Sequence, residues 1–139
     1  MTAHSLPHFE WDDALNVGEE MLDCQHRKLV DLINRVSKCA ETADQDEQLM
    51  HCLTGMYLYA KEHFWDEEAL MARIGYPGLE HHALLHQGFI EKTNALTDAC
   101  LADAVSYKDL LDFLVSWLFQ HITREDTKIM AFARSQSAG

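Results

Sequence analysis

The chain has 139 residues, enough for one domain with a buried core. Hydrophobic residues make up 47% of it, and no stretch approaches a membrane span. A formal net charge of -12 argues against nucleic acid and against anionic membrane surfaces as partners.

The nine histidines are about three times an ordinary share. Histidine enrichment in an acidic chain hints at bound metal. The four cysteines, Cys24, Cys39, Cys52 and Cys100, form no C-x-x-C pair and are expected to be buried thiols in a reducing compartment. No basic region followed by an apolar run opens the chain, so a cytoplasmic location is expected.

Residues 1–10 show no period and include Pro7. They are expected to form an N-terminal arm, with His4 and His8 at its surface. Residues 11–139 read as one helical domain, with Trp11 plugging an end of its core. A first helix is predicted over 18–40, where Leu22, Leu29, Ile33 and Val36 fall at helical spacing. His26 lies on that stripe. Asp44 and Glu47 then resemble an N-cap and its reciprocal acid.

The second helix is predicted over 45–73. Its stripe is Leu49, Leu53, Met56, Ala60, His63, Glu67, Leu70 and Ile74. His63 and Glu67, four apart, share one face. A carboxylate in such a stripe points into a core and needs a partner, for which a metal is one candidate. His51 falls off the stripe and is expected at the surface. Gly75-Tyr76-Pro77-Gly78 stops the helix.

The third helix is predicted over 79–101, with the stripe Leu79, His82, His86, Phe89, Thr93, Leu96 and Cys100. His82 and His86 are one turn apart, a spacing that lets both imidazoles reach one ion. His81 is turned about 100° away and should face outward or towards a neighbour. Ser106 with Asp109 marks a new start.

The fourth helix is predicted over 107–132, with Leu110, Leu114, Trp117, Leu118 and His121 on one face. Regular spacing puts Glu125 on the face of His121, while Asp126 is rotated by about 140°. Asp126 can serve beside His121 only by approaching from another side, or if the helix widens there into a π-bulge. Such bulges gather at functional sites. Four long amphipathic helices with short links predict an all-α, up-down-up-down antiparallel four-helix bundle.

Each helix thus offers polar groups near its interior midline. Five imidazoles and two carboxylates in one core need ions to satisfy them, and seven donors are too many for a single ion. They suit a dinuclear site with bridging carboxylates. Imidazole with carboxylate suits Fe, Zn or Mn, and the absence of sulfur argues against an iron–sulfur cluster. With histidines split three and two, one ion is a donor short and keeps a position for a small molecule. Sites with four carboxylates better support high-valent iron, so this one tends towards milder chemistry.

The order His26, His63-x-x-x-Glu67, His82-x-x-x-His86, His121-x-x-x-x-Asp126 resembles hemerythrin, in particular the bacterial hemerythrin-like domains. Flanking segments agree: Asp23-Cys24-Gln25-His26, His63-Phe64-Trp65-Asp66-Glu67-Glu68, Gly75-Tyr76-Pro77, His86-Gln87-Gly88-Phe89 and Trp117-Leu118-Phe119-Gln120-His121-Ile122. The likeness runs from about Phe9 to Ala133.

The resemblance implies two non-haem iron ions bridged by an oxo or hydroxo group and by the carboxylates of Glu67 and Asp126. It selects Asp126 over Glu125. It assigns His82, His86 and His121 to one iron, His26 and His63 to the other, and O2 to the latter. Trp117, Leu118 and Ile122 match the apolar pocket over that site. The implied activity is reversible O2 binding, for carriage, storage or sensing, without enzymatic turnover. NO and other small anions are further expected ligands, and a fused or separate signalling output domain a further expected partner. A di-iron oxidase, peroxidase or nitric oxide reductase on the same ligands is the alternative. Partners that fix the imidazole tautomers are expected among Asp66, Glu62 and backbone carbonyls.

Overall fold

The computed structural model describes residues 9–41 and 46–138. Four long rods follow one another: α1 (Glu20–Ala40), α2 (Asp46–Ile74), α3 (Leu79–Leu101), and α4 (Tyr107–Gln120) continued through a π-helical turn (His121–Asp126) into α5 (Thr127–Ala138). No strand occurs among the described residues. No helix among them is long and apolar enough to cross a membrane.

Each boundary has a local cause. Before α1, Gly18 takes a left-handed turn, φ +93°. The Asp23 carboxylate reaches back to the backbone N–H of Val17 at 2.7 Å and of Gly18 at 3.2 Å. Glu19 caps α1 by accepting from the Leu22 N–H at 2.7 Å. At the end of α2, Gly75 adopts φ +71°. Gly75 N–H donates to the Ala72 carbonyl and Tyr76 N–H to that of Met71, the Schellman pattern that satisfies the last carbonyls of a helix. The expected Ser106–Asp109 start is a reciprocal capping box on α4. The expected Asp44 cap lies outside the described residues.

The links 75–78 and 102–106 are too short to do more than reverse the chain, so successive helices pack as antiparallel neighbours. The α1 rod packs on α2, α2 on α3 and α3 on α4, while α4 closes the ring against α1. The apolar stripes meet inside: Leu22 and Ile33 of α1, Met56 of α2, and Leu110 and Leu114 of α4 are all fully buried. Leu79 and Leu96 sit at the margin, half-buried.

Before α1 the chain is held to the bundle at Phe9, which is buried. Its N–H donates to Asn34 Oδ1 at 2.8 Å, and Asn34 Nδ2 donates to its carbonyl at 2.7 Å. The rest of the expected arm, residues 1–8, lies outside the described residues. Trp11 packs against the core, with the Arg27 guanidinium 5.2 Å from its ring centre.

A Cβ at Gly75 would meet nothing within 4 Å, so only backbone strain opposes a side chain there. Gly75→Ala is expected to destabilise the fold by about 1 kcal/mol. Chemical denaturation checks this, and an unchanged midpoint would refute the left-handed cap.

Candidate metal centre

Seven polar side chains meet at one level of the bundle: His26 from α1, His63 and Glu67 from α2, His82 and His86 from α3, and His121 and Asp126 from the π turn. None is more than 5% exposed. They are the same seven that the sequence singled out. His51 and His81 are exposed, as expected, and His4 and His8 lie outside the described residues.

The donors form two groups that share Glu67. One holds Glu67, His82, His86 and His121; the other holds His26, His63, Glu67 and Asp126. Glu67 Oε1 lies 2.7 Å from His82 Nε2, 3.1 Å from His86 Nε2 and 3.7 Å from His121 Nε2. Its other oxygen, Oε2, lies 3.4 Å from His63 Nε2 and 3.7 Å from His26 Nε2. Asp126 divides itself in the same way. Its Oδ2 is 3.0 Å from His26 Nε2, while Oδ1 is 3.1 Å from His82 Nε2 and 3.2 Å from His121 Nε2. Each carboxylate therefore presents one oxygen to the three-histidine side and one to the two-histidine side.

Asp126 reaches this position because the helix widens. In a regular helix the fifth residue after His121 faces elsewhere, but the π turn over His121–Asp126 brings it back towards the face of His121. Asp126 is fully buried. Glu125, favoured by regular spacing, instead stands at the edge of the bundle and pairs with Lys128 at 3.3 Å.

Outer contacts set the imidazoles. His63 Nδ1 lies 2.6 Å from Gln25 Oε1, and Gln25 Nε2 donates to Asp66 Oδ2 at 2.9 Å. His86 Nδ1 lies 2.9 Å from Glu68 Oε2. In both cases an oxygen stands ready to accept from Nδ1–H, the arrangement that presents Nε2 to a metal. Asp66 thus acts through Gln25, and Glu62 is exposed. Gln25 and Glu68 were not singled out from the sequence. The available signal was their adjacency to His26 and Glu67, one residue off the stripe.

Aromatic rings cover the three-histidine side. Phe64 stacks on His86 at 3.9 Å and Trp117 on His121 at 4.3 Å. Phe89 packs against both Phe64 and Trp117. Leu118 and Ile122 are buried. Trp117 of the expected O2 pocket thus lies against His121 rather than against the His26 and His63 rings.

The donor set fits metal ions. Both nitrogens of His26, both oxygens of Asp126 and Glu67 Oε2 are buried without a hydrogen-bond partner. His26 Nε2 and Asp126 Oδ2 are close, yet they lack hydrogen-bond alignment. Buried polar atoms left in this state are costly, and ions between them would satisfy them. Two donors at right angles on an ion with bonds of about 2.1 Å stand about 3 Å apart, the spacing seen here. Imidazole and carboxylate together suit first-row divalent metals.

Without an ion the groups hold one another's charge. Burial pulls the His26 imidazolium down, but the oxygens of Asp126 and Glu67 outweigh it and raise its pKa to about 9. His82 is pushed to about 9 by the same balance, and His121 is raised likewise. Burial pushes Glu67 up, yet the surrounding imidazoles hold it well below the usual carboxylate range. Asp126 is also lowered, its imidazole contacts outweighing burial and the repulsion of Glu67.

Comparison with known proteins gives the family of the chain. The family model described as the hemerythrin HHE cation binding domain matches residues 17–133. The chain is 32% identical over 123 residues to a bacteriohemerythrin of Clostridium acetobutylicum, covering 85% of this chain and 95% of that protein. It is 29% identical over 137 residues to one of Stenotrophomonas maltophilia, covering 93% and 89%. A myohemerythrin of Riftia pachyptila is 32% identical over 120 residues, covering 86% and 89%. A crystal structure of a point mutant shares the fold with TM-score 0.78 at 23% identity, covering 86% of this chain and 92% of that one.

Two outcomes follow from the geometry. Gln25→Leu, which removes the acceptor for His63 Nδ1, should weaken metal binding by roughly 10–100-fold, read by competition with a chromophoric chelator. The second concerns protons. His26 and His82 are raised above their ordinary 6.5, so the stability they contribute is complete below that value and lost as pH rises through about 9. Metal-free protein should therefore melt at lower temperature as pH climbs from neutral towards about 10. Metal loading near neutral pH should acidify a weakly buffered solution; loading without proton release would refute the charged imidazoles.

Proposed function

This chain belongs to the hemerythrin HHE cation-binding domain family, and from that premise we propose that it binds O2 reversibly at a non-haem di-iron centre. The observation that carries the reading is the division of Glu67 and Asp126, each turning one oxygen to either histidine group. In this reading His82, His86 and His121 would hold one iron and His26 and His63 the other, with Glu67 and Asp126 offering an oxygen to each. Iron held there would supply the one-electron couples that reversible O2 binding requires. The His26/His63 side has one imidazole fewer, which would favour a small ligand on that side.

The remaining work falls to the chain itself. Gln25 and Glu68 hold the Nδ1 protons of His63 and His86 and so keep their Nε2 atoms available for metal. The bundle keeps both carboxylates dry, which strengthens their hold on cations. Leu118 and Ile122, both buried, supply apolar wall, which admits an uncharged diatomic and limits water. The stacked rings of Phe64 and Trp117 stop His86 and His121 from turning. The function supported is O2 carriage, storage or sensing rather than turnover of a substrate.

The test is a visible absorption titration of the iron-loaded protein from anaerobic to aerobic conditions. A charge-transfer band should grow with O2 and bleach when O2 is removed, with about two irons per chain. A band that never reverses, or that accompanies consumption of a reductant, would instead place the protein among di-iron enzymes. Leu118→Ala, which opens the apolar wall, should shorten the lifetime of the O2-loaded form severalfold. An unchanged lifetime would remove Leu118 from that wall.

A further inference from the structure

A second pair of reactive groups meets far from the metal centre. Cys39 Sγ, in the last turn of α1, lies 3.2 Å from Cys52 Sγ, in the second turn of α2. One thiol donates to the other's sulfur. Neither is disulfide-bonded, and both are half-buried, whereas Cys24 is exposed and Cys100 is buried. Cys39 stands thirteen residues after His26 and Cys52 eleven before His63, about 20 and 16 Å along their helices at 1.5 Å per residue. The pair therefore takes no part in the donor set described above.

We propose that Cys39 and Cys52 form a peroxide-oxidisable dithiol, a modification site whose product is an intrachain disulfide tying the end of α1 to the first turns of α2. A disulfide needs its sulfurs about 2.05 Å apart, so closing the 3.2 Å gap takes about 1.2 Å of movement. Rotation about two side chains near helix ends supplies it. The thiols come together only through the packing of α1 on α2, so oxidation records that packing as a covalent bond.

The chemistry balances with hydrogen peroxide as the oxidant. One thiolate attacks a peroxide oxygen, the O–O bond breaks, and the departing hydroxide takes up a proton to become water. The sulfenic acid so formed is attacked by the second sulfur. Its S–O bond breaks, and the hydroxyl leaves with the second thiol's proton as another water. Two thiols and one peroxide give one disulfide and two waters, with two electrons passing from sulfur to oxygen. Burial and the contact with Cys39 push the Cys52 thiol up, while the Arg35 cation pulls the other way and favours the thiolate.

Trypsin gives a direct readout, because no Lys or Arg lies between Cys39 and Lys61 and both cysteines stay in the peptide 39–61. The iron-loaded chain of 139 residues is treated with hydrogen peroxide, alkylated, digested and weighed. The expected result is a 39–61 peptide lighter by two hydrogens and carrying no alkyl label, with both labels restored by prior reduction. In the Cys39→Ser variant, Cys52 should remain alkylated at the peroxide dose that clears the wild type. The proposal is overturned if both cysteines of 39–61 stay labelled at a dose that oxidises exposed Cys24. It is equally overturned if Cys52 is found joined to Cys24, or if both sulfurs advance to sulfinic acid without a disulfide.

Discussion

Two buried carboxylates shared between two sets of imidazoles are the constraint that the rest of this structure serves. Glu67 and Asp126 are both without solvent exposure. An isolated carboxylate in such a place would take up a proton or open the fold. Here five imidazoles surround the pair, and the balance of charge keeps both carboxyls ionised. Ions between the two groups would do the same with shorter contacts and would replace protons on the imidazoles. The bundle can be understood as the scaffold that brings these donors to one level from four separate rods.

That scaffold departs from regularity where the donors require it. The fourth rod runs as an α-helix, opens into a π turn over His121–Asp126, and resumes. The widened turn puts the His121 and Asp126 side chains on the interior and leaves Glu125 outside with Lys128. Such widened turns are rare and gather at functional sites, and here His121 and Asp126 both turn into the buried centre. Around the centre the two sides differ. Stacked aromatics immobilise His86 and His121, while Gln25, itself held by Asp66, fixes His63. The side with three histidines is walled by rings, and the other side has one imidazole fewer.

The thiols show how packing confers chemistry that no local motif announces. Cys39 and Cys52 lie on different helices, across a link that reverses the chain, and neither belongs to a C-x-x-C pair. Their approach follows from α1 lying against α2. Cys24, with the same composition-based expectation of burial, is exposed, because it lies between the stripe residues Leu22 and His26 and turns outward.

Periodicity by itself determined the four helices and six of the seven donors. His26, His63, Glu67, His82, His86 and His121 all fall at steps of three or four along apolar stripes, and burial depends on that rhythm. Composition and charge pointed to metal, and motif order pointed to the family. Regular spacing could not select Asp126 over Glu125, because the choice depends on a π turn that exists only where tertiary contacts compensate for it. Nor could it find Gln25 or Glu68, whose partners His63 and His86 come from other helices, or the meeting of Cys39 with Cys52. Those are contacts between residues distant in sequence, and they are set by how the rods pack rather than by the pattern along any one of them.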